Sequence, residues 1–384
     1  MTSASRFSVR YRQLLAGFLA LFASASLLAE PGVGANEIII GQSIALQGGK
    51  NSYGVAAAEG SKLYFDMINA SGGVHGRKIV TRVLDDDNKA DNAQANARKL
   101  IADGAFILFG SIEGGPSTAV MSVANQQKVP FFGPMAGSPT LRRPFQHFVF
   151  PVRAEHRDEF RALMTWGKST GLTTLGFLHA DTEVGQGHLE NVKLIAADLG
   201  MKIVATIPFK GDVSDAQIAE MVKVIADKKP DMLINHGSGG LYQKLIAKAK
   251  AARLTTSFMG VNSGSTQIAQ GLGPLAAGLV FSQVVPNPLE RKHLISREYQ
   301  DAVRKAGAKQ EYSYGALEGF MTAKALVMAL RATGRDLSRS GLLTTLESAR
   351  FDLGGVPVRY TAGDHEGSGF VDLSIVGRDG KFVH

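Results

Sequence analysis

The chemical stock of this 384-residue chain is nine histidines, 34 aspartates and glutamates, and no cysteine. Without cysteine there can be no disulfide framework, thiolate metal site or sulfur nucleophile. The histidines form no H-E-x-x-H motif and no close facing pair along the sequence, so no metal is assigned. His179, at the end of a strand-like run, reads as a packed or hydrogen-bonded residue. Asp85, Asp86 and Asp87 end another such run, before "NKADN", and read as a solvated loop with helix-entry charges and not as a cation site. "GPSTA" (115–119) comes near a nucleophile elbow but has Ala119 where glycine is required. "GLGPLA" (271–276) follows a helical segment instead of a strand, and "GGKNS" lacks the spacing of a phosphate-binding loop. No nucleophile, base and orienting acid can be assembled. The expectation is a protein that is not an enzyme and needs no cofactor.

Glycine-rich and polar loops are the remaining candidates, and the elements around them decide where they lie. "EIIIGQSIAL" is an apolar, β-branched strand, and the run up to "FDMINA" carries Gly60, Leu63, Tyr64, Met67 and Ile68 at helical spacing. "NASGGVHGRKI" (69–79) then turns the chain, with Gly72 and Gly73 just past the helix end, into the strand "KIVTRVL". This is a β-α-β unit, and the alternation continues through "AFILFG", "VPFFGP", "TTLGFLHA", "MKIVATIPF", "DMLINHG" and "TSFMGV". Such alternation implies right-handed parallel units, too many for one compact sheet, so two doubly wound α/β lobes are expected, changing over near residue 152. In open parallel sheets ligands bind beyond the carboxyl ends of the strands. Those loops are 47–54, 111–117, 135–140, 181–187, 236–240 and 262–266, and four of them contain closely set glycines. The tail "VPVRYTAGDHEGSGFVDLSIVGRDGKFV" reads as a β-hairpin-like end.

The 45% hydrophobic and 20% charged composition is that of a soluble globular protein. Its first 35 residues differ: Arg6, Arg10 and Arg12 precede the apolar run "LLAGFLALFASASLLA", with small residues for cleavage after Ala29 or Ala35. That pattern is a signal peptide (1–35), so a periplasmic protein free in solution is expected. Its removal takes three arginines and Glu30, lowering the formal charge from +8 to +6. The basic residues are scattered without interleaved aromatics, which argues against nucleic acid as a partner.

Taken together, "IGQSIAL", "SYG", "NASGGVHGRKI", "LDDDNKAD", "VPFFGPMAGSPTL", "FMG" and "YSYGALEGF" resemble the leucine/isoleucine/valine-binding family, the type I periplasmic solute-binding proteins of ABC importers. The resemblance runs from about Glu37 to Phe382 and is most specific in "INASGGVHGRKI…DDD". It implies two α/β lobes joined by a three-crossover hinge, with the ligand between them: lobe one at 36–152 and 287–354, lobe two at 153–286 and 355–384. In that family the ligand's carboxylate is held by lobe-one hydroxyls and backbone amides, which match Glu113, Gly114 and Gly115 in one loop and Met135, Ala136, Gly137 and Ser138 in another. An aromatic residue before glycine matches Tyr53. Lobe two departs from the family: its two aromatic positions match Val184 and Ser238, and the acid that binds an ammonium matches Asn262. An amide cannot neutralise an ammonium, so the departures imply a small carboxylate or amide solute ahead of a branched-chain amino acid, unless Glu113, Asp181 or Glu183 compensates. The implied partners are that solute and an ABC permease at the inner membrane. A ligand-sensing module of the same fold is the alternative.

Overall fold

The computed structural model describes residues 30–211, 213–237, 239–307 and 311–383. The expected signal segment through residue 29 and the candidate Ser238 lie outside the described residues. Lobe one begins with β1 (Glu37–Ile44), α1 (Gly48–Ala70), β2 (Lys78–Asp85), α2 (Ala90–Ala102), β3 (Ile107–Phe109), α3 (Gly114–Gln127), β4 (Phe131–Phe132) and β5 (Val149–Phe150). The strands pair in the order β2-β1-β3-β4-β5, all parallel. Ile38, Ile40 and Ile44 are fully buried, as an apolar central strand covered by helices on both faces requires. Gly72 and Gly73 take φ of 96° and 73° after α1, and the Gly73 amide closes the helix on the Ile68 carbonyl, the stop that the sequence implies.

Lobe two repeats the pattern with α4 (His156–Ser169), β6 (Thr174–Ala180), α5 (Glu183–Leu199), β7 (Lys202–Phe209), α6 (Asp215–Lys228), β8 (Met232–His236), α7 (Gly239–Ala251), β9 (Ser257–Gly260), α8 (Ser265–Leu272) and β10 (Val280–Gln283). The chain then crosses back through α9 (Leu294–Lys305), α10 (Tyr314–Thr333) and α11 (Arg339–Ser348) to three short strands, β11 (Arg350–Asp352), β12 (Pro357–Thr361) and β13 (Asp364–Gly367). It ends in β14 (Asp372–Val376) and β15 (Phe382–Val383), which complete a seven-stranded sheet ordered β15-β14-β10-β9-β8-β6-β7. The two α/β lobes and three crossovers are the fold class expected from the sequence.

The third crossover lies later than expected. Val356, Val358 and Tyr360, assigned to lobe two from sequence, share a core with Phe150 and Val152. The Tyr360 hydroxyl donates to the Pro151 carbonyl (2.9 Å), and the Ser368 amide donates to the Val152 carbonyl (3.0 Å). We therefore place the crossover at 368–372, beside the first one. At the other end, residues 30–35 belong to the fold. The Gly32 carbonyl accepts from the Ile39 amide (2.8 Å), Val33 bridges to Ile38, and a side chain on Gly32 would collide with Phe106.

One packing contact positions the cleft residues of lobe one. Helices α1 and α10 cross with their backbones touching, because a Cβ on Gly60 would collide with the Ala316 carbonyl and one on Gly319 with the Ala57 carbonyl. Ser61 Oγ donates across this crossing to the Gly319 carbonyl at 3.1 Å. The close approach holds Tyr53 and Glu318, 265 residues apart in sequence, within hydrogen-bonding reach.

Candidate functional site

Where the lobes meet, side chains from both form one buried polar cluster. From lobe one, the Tyr53 hydroxyl donates to Glu318 Oε2. From lobe two, Asn262 Nδ2 donates to the Tyr53 oxygen (2.6 Å) and to Glu318 Oε2 (2.8 Å). The Asn262 amide donates to Glu159 Oε1 (3.0 Å), which also accepts from Ser282 Oγ (2.8 Å). The other Glu159 oxygen pairs with Arg153 and with His156 Nδ1 (2.6 Å). Arg153 follows β5 in the first crossover with its side chain 1% exposed, and its Nη1 stops 3.9 Å from Glu318 Oε1. Tyr53, Arg153, Glu159, Asn262 and Glu318 are all at most 3% exposed.

Three atoms of this cluster have no hydrogen-bond partner: Arg153 Nη1, Glu318 Oε1 and Asn262 Oδ1. Buried polar groups are seldom left unpaired, at a cost of about 1–3 kcal/mol each. Here one is a cationic donor and two are acceptors. Burial pushes the Glu318 carboxyl up to about 8. Arg153 is the nearest cation, but Glu159 already engages its charge, so desolvation prevails at Glu318. Burial also lowers the Arg153 guanidinium, opposed by Glu159 and Glu113.

Glu113 closes the lobe-one side. It precedes α3 with φ 65° and ψ 154°, a region that only glycine occupies without strain. Its Oε1 accepts from Asn51 Nδ2 (3.2 Å), and the same Asn51 group reaches Asn88 Oδ1 (3.2 Å). Protein surrounds Glu113 and desolvation pulls its carboxyl upward, against Asn51 and Arg153, yet the side chain still meets solvent. It therefore faces an accessible recess, where water screens part of that pull.

The remaining candidates fall on both walls. Gly114 and Gly115 form the first turn of α3, not a loop before it, so their amides belong to the unsatisfied N-terminal set of a 14-residue helix. The hydroxyls that the Gly-Gly-Pro stretch lacks lie just beyond: Ser117 Oγ bonds Ser111 Oγ (2.6 Å), while Thr118 and Ser138 both bond Thr140 Oγ1 (2.7 and 2.9 Å). Val184, in the first turn of α5, crosses the cleft so closely that a Cβ on Gly114 would lie 3.1 Å from its Cγ1. Met135 packs with Tyr53, Ala57 and Ile112, and Ala136 is 3% exposed in the lobe-one core. Gly137 makes room for His156, whose ring would lie 2.6 Å from a Cβ there.

Asp181 and Glu183 do not join the cluster. Asp181 pairs with Lys210 (3.2 Å) on lobe two, beside a cavity of about 650 Å³ lined by lobe-two residues from β7, α6 and the turns that follow β6 and β7. The interlobe cavity is smaller, about 210 Å³, and lies between Ser52, Val55 and Glu59 of α1 and Thr266, Gln267 and Gln270 of α8. We take this second space as the cleft mouth, because both lobes wall it.

The structure corrects two sequence expectations. Asp86 is fully buried, not solvated, and accepts from the Asn88 amide (2.9 Å) and Ser43 Oγ (3.3 Å). Three histidines that are far apart in sequence, His156, His188 and His236, do face one another. His179 is 2% exposed and stacks on Phe177, as a packed residue should. Sequence reasoning missed Glu318, Glu159 and Arg153 altogether. Its available signal was an acid inside the apolar run "GALEGFMTAKALVMAL", where a buried helix face ought to exclude charge.

A family model described as "Periplasmic binding protein" matches residues 37–380. A Leu/Ile/Val-binding protein of Rhizobium johnstonii is 30% identical over 28% of this chain and 29% of its own length. A leucine-, isoleucine-, valine-, threonine- and alanine-binding protein of Pseudomonas aeruginosa is 23% identical over 59% of this chain and 61% of its own. The chain thus spans less than two thirds of either relative. The match to the leucine-specific-binding protein of Salmonella typhimurium, at 21% identity, spans 85% of this chain and 89% of that one. Among solved structures, a substrate-binding periplasmic protein of Ralstonia solanacearum superposes with a TM-score of 0.83 at 24% identity, over 90% of this chain and 99% of that chain. A solute-binding protein of an ABC transporter from Rhodopseudomonas palustris, in complex with 3,4-dihydroxybenzoic acid, gives 0.75 at 20% identity, over 88% and 92%. At such identities the superpositions establish the fold. No helix among the described residues is long and apolar enough to cross a membrane. The chain belongs to the periplasmic binding protein family, whose members bind substrates and are not enzymes.

Proposed function

We propose that this chain is the exported solute-binding component of an ABC importer, which captures a small amino-acid-like solute between its lobes in the periplasm and hands it to the inner-membrane permease. The observation that carries this reading is the set of atoms at the lobe junction that lack a hydrogen-bond partner: Arg153 Nη1 on one side, Glu318 Oε1 and Asn262 Oδ1 on the other. One buried cationic donor and two acceptors complement a solute bearing both a carboxylate and an ammonium. The α3 amides at Gly114 and Gly115 add donors for the carboxylate, and Tyr53 adds an aromatic wall. The acid that lobe two lacks at Asn262 is supplied from lobe one by Glu318, 2.8 Å from the Asn262 amide group. This reverses the preference, drawn from sequence, for a solute without an ammonium. The names of the curated relatives support the same class.

Both lobes contribute to the cluster, so a ligand there gains its full set of contacts only when they close, and it stabilises the shut form. The test is mass spectrometry of small molecules carried by the natively isolated protein, followed by calorimetry with leucine, valine and benzoate. An amino acid should bind, and Asn262→Ala should weaken it at least about tenfold, or ~1.4 kcal/mol. Tight benzoate binding with no response to amino acids would replace this reading with an organic-acid one.

A further inference from the structure

We propose that His156, His188 and His236 form a three-imidazole site for a divalent transition-metal ion, with zinc the fitting species, in lobe two beneath the cleft. The residues come from three elements: the first residue of α4, the middle of α5 and the last residue of β8. One ring nitrogen from each lies within 4.8 Å of the others. Tetrahedral zinc with bonds of about 2.0–2.1 Å needs nitrogens roughly 3.3 Å apart, so small side-chain rotations close the site.

The rings have no better employment. Both nitrogens of His188, which is fully buried, lack a hydrogen-bond partner, and His236 Nδ1 has none beyond its own main chain. His156 is already oriented, because its Nδ1 bonds Glu159 Oε2 (2.6 Å) and leaves Nε2 free to ligate. A carboxylate behind a metal-binding histidine fixes its tautomer in this way. Phe160 flanks all three rings, at centroid distances of 5.6–6.0 Å, and supplies a dry wall. Arg153 and Arg142 are the nearby cations, and Arg153 is neutralised by Glu159. Three protein ligands leave the fourth coordination position of a tetrahedral ion open to water or an exogenous ligand. The site does not depend on which solute fills the cleft.

The experiment uses the full mature chain without a histidine tag, stripped by chelator and titrated with Zn²⁺ by calorimetry and with Co²⁺ by visible absorption. We expect one ion per chain with a dissociation constant on the order of micromolar or below, the intense visible bands of tetrahedral cobalt, and a higher melting temperature with zinc. His188→Gln and His236→Gln should each weaken zinc binding at least about tenfold, and Glu159→Gln by about 10–100-fold. Should a variant fail to fold, the wild-type cobalt spectrum decides. An octahedral spectrum, no zinc heat at millimolar concentration, or binding unchanged in a folded His188→Gln protein would each overturn the proposal.

Discussion

Glu318 should make solute capture proton-linked. With its carboxyl pushed up to about 8, roughly nine in ten unliganded molecules carry that proton at pH 7. An ammonium placed against Oε1 requires the ionised form, and an opposite charge at such range lowers a carboxyl by about 1–3 units or more. Binding at pH 7 should then release close to one proton per solute. By linkage, affinity should rise nearly tenfold per pH unit between about 6 and 8 and flatten above. The same shift acts on the unliganded protein with the opposite sign. A carboxyl raised above its ordinary value of 4.5 binds more protons folded than unfolded, so its contribution to stability is greatest below that value and declines as pH rises through about 8. Opening the cleft re-solvates Glu318, so part of that penalty should appear as lobe separation instead of unfolding. The assay is calorimetry of a bound amino acid in buffers of different ionisation enthalpy, on wild type and Glu318→Gln. The observed heat should vary with buffer in the wild type only. The variant should bind at least about tenfold more weakly, since a charge-assisted hydrogen bond contributes about 1.5–3 kcal/mol. Glu113, also shifted upward, is the other group that could release a proton, and its release would persist in Glu318→Gln. Tight amino-acid binding with identical heats in every buffer would refute the reasoning.

Two further outcomes follow from packing. Gly319→Val must push α10 off α1, and overpacking of this kind costs about 1–3 kcal/mol; urea unfolding should register that loss together with weaker solute binding, because Tyr53 and Glu318 move apart. Signal cleavage should occur after Ala29 and not Ala35, since residues 30–35 are hydrogen-bonded into the β1 edge; N-terminal sequencing of the exported protein should read Glu-Pro-Gly, and a start at Asn36 would count against it.

The α/β architecture was legible because its signals are local. Apolar β-branched runs alternating with helical stripes, stopped by glycines such as Gly72 and Gly73, dictate parallel units wherever the chain goes next. The same logic put the candidate loops at the carboxyl ends of strands, while the residues within them came from the family resemblance; in the structure Tyr53 meets Asn262, and Gly114 meets Val184, across the lobes. What the sequence could not determine is who meets across the cleft. Glu318 sits on a helix that is buried along most of its length, and only the glycine-to-backbone crossing with α1 delivers its carboxyl to Tyr53 and Asn262. His156, His188 and His236 are separated by dozens of residues, and no spacing rule joins the start of one helix, the middle of another and the end of a strand. Periodicity governs which face of each element is buried, whereas partnership between buried polar groups is decided by how those faces dock. Docking in turn is set by side-chain volume at a few contacts, Gly60 and Gly319 above all, where the absence of a Cβ lets two distant segments touch.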